Sequence, residues 1–207
     1  MQRIALVIGA AVLVLAMAVA IGWYLDRDSD DIRSGPVTGT GTAAIGGAFS
    51  LTDQHGQRRS DQDFSGKYLL VYFGFTNCVD ACPTALLAMS RALDRLPPEV
   101  VDRIQPLFVT VDPARDDQEQ IARYLENFHP KFVGLTGTVE EIGAAAKAYR
   151  VPFEAPKPDA NGDYQVQHGT TIYLMAPDGS FLAHFDHTTK ADDIARSLQS
   201  YVEGDGA

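Results

Sequence analysis

The feature that most constrains the fold is an apolar run from Tyr68 to Phe75, which reads YLLVYFGF. A run without polar alternation is typical of a strand buried on both faces, in a sheet covered by helices. A second run of this kind extends from Gln105 to Val111. The chain is therefore expected to form an α/β domain around these two central strands.

Helical patterns follow both strands. Apolar residues recur at helical spacing after the first strand, and Pro97 stops that helix. Asp116 is expected to cap the next helix. Thr138 and Glu141 predict a capping box for a third helix, which runs through Tyr149.

The pattern changes toward the C-terminus. Thr171 to Ala176 and Phe181 to Phe185 are predicted strands, joined by a turn rich in Pro, Asp, Gly and Ser. A short strand at Phe132 to Leu135 precedes them, and a last helix follows. This order predicts a mixed sheet flanked by helices, as in thioredoxin-like folds.

The N-terminus carries a separate signal. Ile4 to Leu25 is an uncharged run that would form a helix of about 33 Å, enough to cross a bilayer. Arg3 before the run and the acidic residues after it predict a cytoplasmic tail and an exported remainder. A cleaved signal peptide is the alternative, since Ala18 to Ala20 resembles a cleavage site.

The expected organisation is therefore an anchor or signal peptide at 1–25, a flexible linker at 26–44 and one domain at 45–207. The linker is rich in Asp, Gly, Ser and Thr. The formal net charge of −10 argues against a nucleic-acid partner, because phosphate recognition needs a basic surface.

The reactive residues lie near the first central strand. Cys78 and Cys82 follow it where the next helix begins, and a helix N-terminus stabilises a thiolate. If the turn is helical, the four-residue spacing puts both sulfurs on one face. The pair could be a structural disulfide, a redox pair or part of a metal site.

If the cysteines are part of a metal site, a third ligand is expected, and the five histidines are the candidates. His168 directly precedes the hairpin strand, and in a thioredoxin-like topology that loop lies against the cysteine turn. Two sulfurs and one imidazole suit Cu(I), whereas a structural zinc ion would need a fourth ligand. His55 and His129 are expected to be exposed loop residues, and the spacing of His184 and His187 is a weak metal signal.

Three motifs in order resemble the Sco/SenC family of copper chaperones. These motifs are FGFTNCVDACP at Phe73–Pro83, VTVDPARD at Val109–Asp116 and QHGTTIYLMAPDGSF at Gln167–Phe181. Members of the family are membrane-anchored, thioredoxin-like proteins that help to assemble the copper site of cytochrome c oxidase. The resemblance covers roughly residues 45–202.

The resemblance implies that Cys78, Cys82 and His168 bind copper, as Cu(I), Cu(II) or both. It also implies that Asp112 tunes the site or contacts a partner, and the alternative for Asp112 is a turn or cap residue. Val79 departs from the family, which often has proline there.

The expected function is copper delivery to the copper-receiving subunit of cytochrome c oxidase, with another copper carrier as a second partner. The domain would work outside the cytoplasm, in a bacterial periplasm, tethered by a single membrane pass. The alternative is a thiol–disulfide oxidoreductase in which Cys78 and Cys82 are the redox-active pair that reduces the oxidase cysteines. A peroxide-reducing or redox-sensing relative is a third hypothesis.

Overall fold

The computed structural model describes Met17, residues 45–154 and residues 164–204. The chain divides into two units, Met1–Gly35 and Pro36–Ala207, and the elements below belong to the second. Apart from Met17, the expected anchor (1–25) and linker (26–44) lie outside the described residues. Within the described residues, no helix has the length and hydrophobicity to cross a bilayer.

A mixed sheet forms the centre of the domain. The strands are β1 (Ser50–Asp53), β2 (Arg58–Ser60), β3 (Tyr68–Gly74), β4 (Ile104–Thr110), β5 (Val133–Thr136), β6 (Phe153–Glu154), β7 (Gln167–His168), β8 (Thr171–Met175) and β9 (Phe181–Asp186). The strand order of the sheet is β2-β1-β5-β4-β3-β8-β9, with β3, β4 and β5 parallel and the outer pairs antiparallel. Strands β6 and β7 form a separate antiparallel ribbon.

Five α-helices accompany the sheet in the described residues. The helices are α1 (Ala81–Leu93), α2 (Pro98–Asp102), α3 (Gln118–Leu125), α4 (Val139–Ala148) and α5 (Ala191–Gly204), and Asp61–Phe64 forms a 3-10 turn. Helix α1 packs against α5 and β3, α3 packs against β5, and α4 packs against β1.

Both central strands are buried along their full length, as their apolar sequences predict. Side chains alternate between the two faces of a strand, so Tyr72 and Phe73 of β3 point to opposite sides. Phe73 packs on Tyr149 with 5.3 Å between ring centroids. Tyr72 faces the other side, where the two cysteines lie. The structure thus confirms the expected mixed sheet with flanking helices.

The helix starts were predicted with mixed success. The capping box at α4 is confirmed, since Thr138 Oγ1 accepts from the N–H of Glu141 and the Glu141 carboxylate accepts from the N–H of Thr138. The expected cap at Asp116 is wrong. Asp117 caps α3 and accepts from the N–H of Gln120 at 2.7 Å. Asp116 is instead fully buried, where hydroxyl groups bind its carboxylate.

Candidate metal centre

The two cysteines lie beyond the carboxyl end of β3, where the chain turns into α1. Cys78 belongs to the turn, and its N–H donates to the carbonyl of Phe75 at 3.2 Å. Cys82 belongs to the first turn of α1, and its N–H donates to Cys78 Sγ at 3.4 Å. Cys78 therefore precedes the helix, and the N-terminal N–H groups of the helix stabilise its thiolate. Both cysteines are free thiols.

The ribbon of β6 and β7 carries His168 to these thiols. His168 pairs with Phe153 across the ribbon, and the N–H of Gly169 donates to the carbonyl of Pro152 at 2.9 Å. His168 Nδ1 lies 2.8 Å from the carbonyl oxygen of Gly169. Because a carbonyl only accepts, Nδ1 is the donor in this contact, and in the neutral ring the lone pair then lies on Nε2. Nε2 is 3.5 Å from Cys82 Sγ.

Two aromatic rings fix the plane of the imidazole. Phe75 and Tyr72 meet it edge-on, with centroid distances of 5.6 and 6.1 Å and interplanar angles of 87° and 83°. The imidazole of His168 is therefore held by a hydrogen bond at one nitrogen and by packing on its sides. This leaves the other nitrogen oriented toward the sulfurs, which is how metal-binding histidines are commonly supported.

The ligand atoms of Cys78, Cys82 and His168 all lie within 4.8 Å of one another. In the described part of the chain, this is the one group of three or more such side chains that could hold a metal ion. Thiolate and imidazole ligands suit Cu(I), so a site with two sulfurs and one nitrogen fits that ion. A structural zinc site would normally have four protein ligands.

The two thiols have different environments. Cys82 is fully buried, whereas Cys78 is half-buried. Hydrogen bonding to the Cys82 thiol lowers the pKa of Cys78 far below its ordinary value and outweighs the effect of burial. The same interaction, together with burial, raises the pKa of Cys82. In the metal-free state Cys78 is therefore the thiolate, and Cys82 keeps its proton.

Gly74, the last residue of β3, leaves room for the buried sulfur. A Cβ at this position would lie 2.8 Å from Cys82 Sγ, 2.9 Å from Tyr72 Cε1 and 3.0 Å from Phe108 Cε2. Cβ atoms essentially never lie closer than 3.0 Å to a neighbouring heavy atom. The missing side chain thus lets the Cys82 sulfur lie directly against the strand.

A buried carboxylate holds the start of the cysteine loop. Asp116 Oδ1 accepts from Thr76 Oγ1 at 2.6 Å, and its Oδ2 accepts from the N–H of Thr76 at 2.9 Å and from Thr110 Oγ1 at 2.7 Å. Burial raises the pKa of Asp116, although these hydrogen bonds oppose the shift. Asp116 thereby ties the turn after β3 to the end of β4.

Asp112 lies in a second polar cluster, and its carboxylate is almost fully buried. Its Oδ2 accepts from Arg115 Nε at 2.5 Å, and its Oδ1 accepts from Tyr164 Oη at 2.6 Å. Arg115 Nη1 donates to the carbonyl of Tyr164, and the guanidinium lies 3.6 Å from the centroid of that ring. Asp112 and Arg115 thus hold the segment that leads into His168.

Comparison with known proteins identifies the family of this chain. A family model described as SCO1/SenC matches residues 37–203. The chain belongs to the SCO1/SenC family. Protein sco1 of Schizosaccharomyces pombe is 43% identical over 201 residues, covering 91% of this chain and 75% of that protein. The mitochondrial SCO1 homolog of Homo sapiens is 42% identical over 163 residues, covering 78% of this chain and 54% of that protein.

A solved SCO1/SenC structure supports both the fold and the type of metal. Bradyrhizobium japonicum ScoI with copper bound is 38% identical, with a TM-score of 0.71, over 76% of this chain and 99% of that chain. The likeness confirms the thioredoxin-like arrangement of helices around a mixed sheet. That protein holds copper, and this chain has a Cys-Cys-His group able to bind a metal ion.

The other four histidines lie outside this group. His55 is exposed, as predicted, but the side chain of His129 is only 14% exposed, so that expectation is wrong. The backbone N–H of Lys131 donates to His129 Nδ1, which helps to hold the ring in place. His184 is exposed on β9, and His187 lies beside Asp186.

Several residues around the SCO1/SenC site were missed by sequence reasoning. Tyr72 and Gly74 lie in a strand whose apolar character predicts only burial. A glycine inside a strand does signal the close approach of another group, and that signal was present at Gly74. Tyr164 gave no comparable signal, and Asp116 was expected only to cap a helix, because the roles of both depend on contacts between distant parts of the chain.

Proposed function

We propose that the chain is a copper chaperone that delivers copper to the copper-receiving subunit of cytochrome c oxidase during assembly. The proposed ligands are Cys78 Sγ, Cys82 Sγ and His168 Nε2. The observation that carries the proposal is the mutual distance of these three atoms, all within 4.8 Å. Family membership supports the same assignment.

The site suits a cargo ion that must leave again. Three ligands leave Cu(I) or Cu(II) open to an incoming ligand, so the ion can be passed by ligand exchange. Cys78 is the more accessible sulfur, and the neighbouring Val79 is 87% exposed. We infer that an acceptor protein approaches from the side of Cys78, and that Cys82 releases the ion last.

The proposed architecture follows the sequence. Residues 1–25 would anchor the chain or form a signal peptide, residues 26–44 would be a flexible linker, and residues 45–207 would form the copper-binding domain. A single membrane pass would keep the domain outside the cytoplasm, in a bacterial periplasm. Tethering would raise the effective concentration of the domain near its oxidase partner. Another copper carrier would supply the ion.

The test is a copper titration of the full chain in detergent, with wild type compared with His168→Ala. The matched control is His184→Ala, which removes an exposed imidazole on β9 that is not part of the proposed metal site. Loss of a ligand should weaken the Cu(I) affinity at least about ten-fold and change the Cu(II) absorption spectrum. Unchanged affinity and spectrum in His168→Ala would contradict the three-ligand carrier.

A second candidate is thiol–disulfide exchange, and the asymmetry of the two thiols favours it. The Cys78 thiolate would attack a disulfide of the target, forming a mixed disulfide and releasing one target thiolate. Cys82, after losing its proton, would then attack Cys78 and release the second target thiolate. The target gains two electrons, and a Cys78–Cys82 disulfide forms.

The exchange activity can be tested separately from copper binding. Reduced wild-type chain is mixed with an oxidised peptide from the oxidase copper site, and the free thiols of the peptide, separated from the chain, are counted over time. His168→Ala should still reduce the peptide, because exchange needs no third ligand and the Cys82 thiol is the main cause of the lowered pKa of Cys78. No turnover by the reduced wild-type chain would exclude this candidate.

A further inference from the structure

Tyr72 carries a buried hydroxyl group beside the Cys82 thiol. Its side chain is fully buried in β3. Within the described part of the chain, the hydroxyl has no hydrogen bond of ordinary geometry, and the side chain that comes within hydrogen-bonding reach of it is that of Cys82. A buried polar group without a hydrogen bond costs free energy, so such groups are rare unless another state of the protein uses them.

The hydroxyl lies beside the buried ligand sulfur. The space left by Gly74 is bordered by Cys82 Sγ and by Tyr72 Cε1, at 2.8 and 2.9 Å from the position of a Cβ. Cε1 is bonded to the carbon that carries the hydroxyl group. The ring of Tyr72 also meets His168 edge-on. Tyr72 is therefore next to two of the three proposed ligands.

Copper binding would change the charge of the sulfur beside the Tyr72 hydroxyl. A cysteine binds a metal ion as its thiolate, so copper held by both sulfurs would make the buried Cys82 Sγ an anion. A tyrosine hydroxyl is protonated at neutral pH and can rotate to donate, and hydrogen bonds to a charged acceptor are the strong ones.

We propose that Tyr72 is a positioning residue that donates a hydrogen bond to the Cys82 thiolate in the copper-loaded chain. The bond draws electron density from that sulfur and so tunes both the affinity for copper and its reduction potential. This inference rests on the proposed function, because it concerns the same site in its loaded state.

The test compares Tyr72→Phe with Tyr124→Phe. Tyr124 is a matched control, because its hydroxyl is also buried without a hydrogen bond and its ring packs on Phe108. Tyr72→Phe should weaken the Cu(I) affinity of the full chain about ten-fold. It should also move the thiolate-to-Cu(II) absorption band to longer wavelength and lower the reduction potential. Metal-free stability should stay equal or rise, since the variant removes a buried hydroxyl that lacks a hydrogen bond of ordinary geometry.

Two results separate this inference from the proposed function. If wild type binds copper and Tyr72→Phe shows the wild-type band, potential and affinity, only the role of Tyr72 is overturned. If wild type binds no copper, the proposed function and this inference both fall.

A measurement on the wild-type chain does not depend on how the variants fold. Proton NMR of the Cu(I)-loaded chain should show a slowly exchanging Tyr72 hydroxyl proton with a cross-peak to the β-protons of Cys82. A loaded chain whose Tyr72 ring and Cys82 β-protons are assigned, but which lacks that cross-peak, also overturns the inference.

Discussion

The hydroxyl of Tyr164 donates a 2.6 Å hydrogen bond to the carboxylate of Asp112, and this bond joins two loops that border the metal centre. Tyr164 begins the segment that leads to His168, whereas Asp112 follows β4. Arg115 reinforces the link through its own contacts with both residues. In this structure the Asp112 carboxylate is thus a structural acceptor, and we propose that it tunes the site by holding His168 in place.

Tyr164→Phe should loosen this link. The variant removes a hydrogen bond to a charged group, which is worth about 1.5–3 kcal/mol. We expect faster amide hydrogen exchange at residues 164–169 and a Cu(I) affinity lower by about three- to ten-fold. Tyr201→Phe, on α5, is the control and should leave both unchanged. Equal exchange rates in wild type and Tyr164→Phe would show that the hydrogen bond does not hold the segment.

Gly74→Ala should damage the metal centre through packing. The new methyl group would meet Cys82 Sγ, Tyr72 and Phe108 at 3.0 Å or less, so the sulfur or the strand must move. Overpacking of this kind costs about 1–3 kcal/mol of unfolding free energy. We expect a lower midpoint of urea unfolding together with weaker copper binding.

Gly143→Ala provides the matched control for Gly74→Ala. A Cβ at Gly143 meets no atom within 4 Å, and the residue lies inside α4. The alanine should therefore stabilise the chain by up to about 1 kcal/mol through helix propensity. If both variants unfolded at the same urea concentration, the contact between Gly74 and the sulfur would be unimportant.

The fold could be predicted because its main elements are specified locally. The strand from Tyr68 is apolar without interruption, and Thr138 and Glu141 stand at the spacing of a capping box. The Asp116 prediction failed because two adjacent aspartates both fit a helix start. Which one caps α3 depends on Thr110 and on Thr76, which is 40 residues away in sequence, because both hydroxyls hold Asp116 in the core.

The site was predictable only in part, for the same reason. Cys78 and Cys82 are close in sequence, so their proximity follows from any compact turn. The prediction that His168 is a ligand rested on the expected topology and on the family motifs. The ribbon that carries this residue has strands of only two residues, which are too short to show a periodic pattern. The hydrogen bond of its Nδ1 to Gly169 appears only in three dimensions.

Asp53 should make the stability of the domain depend on pH in the acid range. Its carboxylate is buried and accepts hydrogen bonds from Arg59 Nε and from the N–H groups of His55 and Gln57. Burial favours a higher pKa, but these bonds outweigh it and lower the pKa of Asp53. A lowered folded-state pKa gives stability that is full above the unfolded value of about 3.9 and is lost as pH falls through the folded value.

Urea unfolding of wild type and Asp53→Asn between pH 7 and pH 2.5 tests this dependence. At pH 7 the variant should lose about 1–3 kcal/mol, because the buried hydrogen bonds to the charged carboxylate are lost. The difference between the two proteins should shrink as the pH falls below 4. Asp102→Asn, whose side chain is 85% exposed, is the control and should follow wild type. A difference that stays constant with pH would rule out the charge of Asp53 as the cause.

Alkylation should distinguish Cys78 from Cys82 in the metal-free, reduced chain. Iodoacetamide reacts with thiolates, and Cys78 combines a lowered pKa with partial exposure. Mass spectrometry should find Cys78 modified first. Its rate should fall less than about ten-fold from pH 8 to pH 5, whereas a free thiol with a pKa near 8.5 should slow by several hundred-fold.

Cys82→Ala is the decisive variant for this asymmetry, and Cys82→Ser accompanies it. A hydroxyl is a different donor from the Cys82 thiol, whose hydrogen bond to Cys78 is the main cause of the lowered pKa. The alkylation rate of Cys78 at pH 5 should therefore change from its wild-type value, and Cys82→Ala, which has no donor, should give the slowest reaction. If Cys78 in Cys82→Ala kept the wild-type rate at pH 5, His168 and the backbone N–H groups of the helix start, and not the Cys82 thiol, would account for its thiolate.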